Sequence, residues 1–107
     1  MSNYIQVTTT TSSQEEAEQI ARALVMKRLA ACVQIVGPIT SVYWWQEELE
    51  TAVEWLCYIK SKQDLYPQIE AAIQQNHPYD TPEIIATPIS LGSRDYLRWI
   101  DAETTNS

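Results

Sequence analysis

Two β-prone stretches stand back to back in this chain and limit what it can fold into. Cys32–Trp45 is interrupted only by Gly37-Pro38, and Thr51–Ser61 follows after the short polar link Gln46–Glu50. The pair reads as a β-hairpin whose strands run to roughly a dozen residues each, against a usual five or six. Twelve residues at about 3.3 Å each cover about 40 Å, whereas a globule of about a hundred residues has a radius of gyration near 13 Å. In a chain of 107 residues such a ribbon must bend sharply or project. It carries Tyr43, Trp44, Trp45, Trp55 and Tyr58. Large aromatic side chains on a projecting ribbon expose apolar surface and open strand edges. Sister copies of the chain would cover both, so the sequence predicts a homo-oligomer with Tyr43, Trp44 and Trp55 as interface anchors.

The remaining segments supply what a hairpin packs against. Tyr4–Thr10 is β-branched and alternating, and reads as a strand. Ser12 and Ser13 stand three residues before Glu15 and Glu16, a double capping-box signature. Ala17, Ile20, Ala21 and Leu24 then recur on one helical face, which predicts a helix over about 13–29. Gly37-Pro38 predicts a bulge in the first hairpin strand. In the second, Val53, Trp55, Cys57 and Ile59 share one face, and Glu54, Leu56, Tyr58 and Lys60 the other. Asp64 is the expected cap of a second helix, striped by Leu65, Ile69, Ala72 and Ile73 and ended by His77-Pro78. Glu83–Pro88 reads as a short strand with an edge at Pro88. Gly92-Ser93 opens a short last helix on which Tyr96, Trp99 and Ile100 share a side. The order β-α-β-β-α-β plus a terminal helix predicts an α+β, ferredoxin-like single domain over 1–107, with about 104–107 as a frayed tail.

Charge and motif content exclude several functions. Seven Lys plus Arg against fourteen Asp plus Glu give a net charge of −7, which repels nucleic-acid phosphates and anionic membranes. No apolar run is long enough to span a membrane, and Met1-Ser2-Asn3-Tyr4 lacks the basic-then-apolar order of a secretory signal. Cys32 and Cys57 stand apart among apolar neighbours, as buried thiols in a reducing compartment do. No GxSxG, HExxH or Walker sequence occurs, and the chain is expected not to be an enzyme. His77 with Cys57, or with Asp80, is a conceivable pair, but Asp80 equally suits a cap of the Tyr79–Pro82 turn. One histidine and two isolated thiols fall short of a zinc or copper set within one chain, although His77 or Cys32 could meet its own copies across an interface. Glu47, Glu48 and Glu50 read as a solvated turn.

Four stretches carry a resemblance that covers nearly the whole chain: Leu29-Ala30-Ala31-Cys32-Val33, Ser41-Val42-Tyr43-Trp44-Trp45, Lys60-Ser61, and His77-Pro78-Tyr79-Asp80-Thr81-Pro82-Glu83-Ile84. With Gly92 and Asp95-Tyr96-Leu97 before Trp99, they resemble the CutA divalent-cation tolerance family. The resemblance implies a ferredoxin-like subunit in a tight, stable homotrimer like that of the PII signalling proteins. It implies a cytoplasmic protein linked to tolerance of copper and other divalent ions. It also implies an intersubunit cleft near Cys32, Trp45, Lys60, Tyr79 and Glu83, with His77 as the metal-ligand candidate and no obligatory cofactor beyond a possible divalent ion such as copper. The copper-associated cysteine and histidine pair of some members fall on Thr9, Asn76 and His77, so His77 alone keeps a ligand side chain. The alternative is a regulatory or scaffolding trimer that binds a small metabolite or a protein partner. Glu47 stands where members often carry glycine, and the turn is therefore expected to avoid a positive φ there. The His77–Glu83 loop remains the site candidate, with Lys60 placed to pair with Glu83 across the sheet.

Overall fold

A computed structural model describes residues 3–106. The elements run β1 (Tyr4–Thr11), α1 (Gln14–Met26), β2 (Cys32–Trp45), β3 (Glu48–Lys62), a 3₁₀ turn (Gln63–Leu65), α2 (Tyr66–Asn76), β4 (Ile85–Pro88) and α3 (Arg94–Glu103). The four strands form one antiparallel sheet in the order β2-β3-β1-β4, the ferredoxin-like arrangement expected of this α+β chain. Pro88 ends β4 on the sheet edge, where a missing N–H costs little.

Local chemistry explains the element ends. Ser13 caps α1 by accepting the Glu16 N–H at 3.1 Å, and the Glu16 carboxylate accepts from the Ser12 N–H and hydroxyl. α1 stops earlier than its apolar stripe suggests. Arg28 takes a left-handed φ of 61°, and the Leu29 N–H reaches back to the Leu24 carbonyl while the Arg28 N–H reaches Val25, a Schellman closure. Asp64 does not cap α2: it sits inside the 3₁₀ turn, and neither that turn nor α2 has a side-chain cap. Pro67 holds the first turn of α2 instead.

The core lies between one sheet face and α1 with α2. Ile5 and Val7 of β1, Cys57 and Ile59 of β3, Ala17, Ile20 and Leu24 of α1, and Leu65, Ile69 and Ile73 pack there. α3 sits against the opposite face, tied by Tyr4 to Asp101 and by Lys62 Nζ to Asp101 Oδ1 at 3.9 Å.

The ribbon does project: the subunit measures 44 × 25 × 21 Å. β1 pairs with β3 only from Trp55 to Lys62, so β3 from Glu48 to Glu54 has β2 as its one strand partner among the described residues. The register shifts between Val36 and Ile39, where Gly37 and Pro38 together face Trp55, the expected bulge. A Cβ on Gly37 would lie 2.3 Å from Trp55 Cδ1, so the indole covers this glycine at van der Waals range. Trp55 packs within its own subunit, partly buried against the core. The turn corrects another expectation. It contains only Gln46 and Glu47, with φ of 49° and 67°. A two-residue hairpin turn of type I′ has φ > 0 at both positions and so matches the strand twist, and the long registered ladder imposes that geometry although neither residue is glycine.

Candidate functional site

The notch beside the projecting ribbon forms the site. Where β1 ends, the segment from His77 to Ile84 crosses to β4 and packs beside the ribbon. Thr10, Ser41, Val42, Tyr43, Glu54, Tyr79, Thr81 and Glu83 line a groove of about 380 Å³ there. A second groove adjoins it, lined by Tyr43, Trp45 and Pro78–Thr81.

His77 anchors the loop. The residue is buried; its Nε2 lies 2.6 Å from the Thr10 carbonyl oxygen, and its Nδ1 accepts the Tyr79 N–H at 3.2 Å. A carbonyl can only accept, so Nε2 carries the proton and Nδ1 supplies the lone pair. Both ring nitrogens are engaged within the subunit, and none faces a metal ion in this geometry. The ring also packs on Tyr79, with centroids 4.6 Å apart. His77 thus fixes the loop so that Tyr79 points into the groove.

Tyr79 donates its hydroxyl to Glu54 Oε2 at 3.0 Å. Burial first, and then this bond to a carboxylate, push the Tyr79 phenol up to about 12. Glu54 is only 6% exposed although it lies on a strand. Sequence periodicity could not find it: an acidic residue on the face opposite the core reads as solvated, and only the packing of a loop 25 residues away buries it. Thr10 and Ser41 also join the groove only through this packing, whereas Thr81 belongs to the loop that the sequence singles out.

The five expected cleft residues divide into two groups within one subunit. Trp45, Tyr79 and Glu83 border the two adjoining grooves. Cys32 and Lys60 oppose each other at the root of the hairpin, six positions along β3 from Glu54, or about 20 Å. Lys60 does not pair with Glu83; its Nζ donates to Gln34 Oε1 at 2.7 Å. Asp80 is exposed and forms no ion pair with His77 among the described residues.

A soft metal finds a poor donor set here. Burial raises the Cys57 thiol to about 11, and its Sγ lies 3.8 Å from the Ala17 carbonyl. Thr9 opposes Cys57 in the ladder and offers a hydroxyl, not a thiolate. Among the described residues no three His, Cys, Asp or Glu side chains converge. The carboxylates and hydroxyls of the groove are hard oxygen donors, unlike the imidazole and thiolate that copper selects.

Fold and groove together define a ferredoxin-like subunit with an outsized hairpin and a polar notch at its flank. The chain matches the CutA1 divalent ion tolerance protein family over residues 5–103, and it belongs to that family. It is 44% identical over 95 residues to the divalent-cation tolerance protein CutA of Thermus thermophilus, covering 89% of this chain and 92% of that one. The crystal structure of CutA1 from Oryza sativa superposes with a TM-score of 0.96 at 38% identity, over 98% of this chain and 96% of that one. The periplasmic divalent cation tolerance protein CutA from Archaeoglobus fulgidus gives a TM-score of 0.88 at 40% identity, over 96% and 98%.

Proposed function

We propose that this chain acts in divalent-cation tolerance as a non-enzymatic homotrimer, built like the PII regulators, whose working site is the groove beside the ribbon. The single observation that carries this is the outer apolar face of the hairpin. Val42, Trp44, Leu49 and Val53 are 61, 72, 62 and 57% exposed, and they continue the face that is wholly buried at Cys57 and Ile59. Sister copies cover it, with Trp44 in the contact, while Tyr43, on the opposite face, lines the groove. The same packing brings the root of one hairpin, with Cys32 and Lys60, towards the groove of another subunit. Burial of the ribbon then adds to a small core, ties folding to subunit concentration and makes the assembly thermostable.

Regulation through a bound small molecule suits the groove better than copper chelation, because His77 is spent on Thr10 and Tyr79. A cytoplasmic site of action accords with two unpaired cysteines, although the relative from Archaeoglobus fulgidus is described as periplasmic.

Native mass spectrometry of gently purified protein tests this proposal. The expected spectrum is a three-subunit particle that carries added small-molecule mass. A bare trimer overturns the regulatory role of the groove, and a lone 12.3 kDa species overturns the assembly. Calorimetric titration with Cu(II) should give no heat that His77→Ala removes; heat lost in that variant would restore His77 as a ligand.

A further inference from the structure

His77 is the chain's single histidine, and histidine is the side chain whose ordinary titration falls between about pH 5 and 8. Its ring is seated within its own subunit. The residue is 8% exposed, so a sister copy packed on the groove adds little to its surroundings. Nε2–H donates to the Thr10 carbonyl at 2.6 Å, Nδ1 accepts the Tyr79 N–H at 3.2 Å, and the ring packs on Tyr79. Only the neutral ring can make both bonds, because the imidazolium has two N–H groups and no acceptor. A second proton would set Nδ1–H against the Tyr79 N–H, donor facing donor, in a corner closed to water.

We propose that His77 is an acid-sensitive latch on loop 77–84: protonation unseats its ring, draws Tyr79 away from Glu54 and opens the groove. Opening matters for function because the groove is the proposed working site; the latch itself rests on the seat of His77. The groups around the ring set its direction. Thr9, Thr10 and Thr11 of β1 and Asn76 of α2 carry no charge. His77 ends α2, whose last carbonyls lend partial negative charge. Asp80 and Glu83 stand on the same loop, and Glu54 of β3 lies one hydrogen bond beyond, through Tyr79. Glu16 of α1 holds Ser12 just past the end of β1. Lys60 of a sister copy is the cation that the proposed assembly brings towards the groove, and these carboxylates outnumber it. The surroundings therefore draw a proton to the imidazole, whereas the closed seat has no place for it. Closure and protonation oppose each other, so the loop is held at neutral pH and released as pH falls through the histidine range. The imidazolium, once out of its seat, regains water and carboxylate acceptors.

Proton NMR of the intact protein between about pH 8 and pH 5 follows the single imidazole directly. Hydrogen exchange, corrected for its intrinsic pH dependence, follows the Tyr79 amide in the same samples. Protection of that amide should fall about tenfold or more with the same midpoint as the imidazole, while amides of the β1–β3 ladder stay protected. His77→Asn places a side-chain oxygen where Nδ1 stood and cannot titrate, so its Tyr79 amide should keep its protection across the range. Unchanged protection in the wild type while the imidazole titrates overturns the proposal, and so does an imidazole that stays neutral throughout. An equal loss in His77→Asn also overturns it, because the carboxylates would then be the trigger. If His77→Asn fails to fold, the coincidence of the two wild-type midpoints still decides. The readout needs no ligand, so its failure is distinct from a failure of the groove to bind a small molecule. Sedimentation at each pH shows separately whether the trimer persists.

Discussion

The root and the tip of the hairpin follow the same two-residue alternation but have different fates. At the root, Cys57 and Ile59 face α1 and α2 and are fully buried. Toward the tip, Val53 and Leu49 continue that face into open space. The strand changes character not in sequence but where β1 ends opposite Trp55. Apolar alternation therefore states that a face will be covered without stating by whom. Helices of the same subunit cover the root, and in the proposed trimer other copies cover the tip.

Substitutions on either side of that boundary should separate the two kinds of burial. The largest effect belongs to the root: Ile59→Ala should cost about 2–5 kcal/mol, read by urea unfolding at every protein concentration. An equal loss from Val53→Ala under dilute conditions would erase the distinction. At the boundary, Gly37→Ala drives a methyl into the Trp55 indole and should cost about 1–3 kcal/mol, with a shift in tryptophan fluorescence. At the tip, Val42→Asp with Val53→Asp should change the stability of the isolated subunit by less than about 0.5 kcal/mol. Its signature is instead a loss of assembly on dilution.

The turn and the groove give smaller effects. Glu47→Gly relieves a left-handed residue and should stabilise by about 1 kcal/mol; a decrease in thermal midpoint would show that the turn is not strained. In the groove, the raised Tyr79 phenol favours its neutral form in the folded state. Its contribution is whole below about pH 10, the ordinary tyrosine value, and is lost as pH climbs toward 12. Tyr4, Tyr66 and Tyr96 are raised as well, so Tyr79→Phe should lessen the alkaline loss of stability, not abolish it. An unaltered alkaline unfolding curve would contradict the placement of Tyr79.

Particular residues show how far the sequence was legible. The succession of elements, the Ser13 cap and the Gly37-Pro38 bulge follow from local rules of periodicity, capping and backbone freedom, and the structure bears each one out. The family resemblance was legible from motifs spread along the chain, and it also holds. Glu47 defeated a local rule because hairpin register outweighs one residue's preference. The groove was legible only in part. Tyr79 and Glu83 lie in a distinctive loop, but Glu54 gains its meaning from a contact across 25 residues. His77 was singled out for its chemistry, whereas its two hydrogen bonds give it the task of holding the loop.

Sedimentation velocity of the wild-type protein across a wide dilution range tests most directly whether other copies cover the tip. One boundary corresponding to three 12.3 kDa subunits, split by the paired Val42 and Val53 aspartates, is the predicted result. A stable single-subunit boundary at all concentrations, with the tip tryptophans open to solvent quenchers, would contradict it.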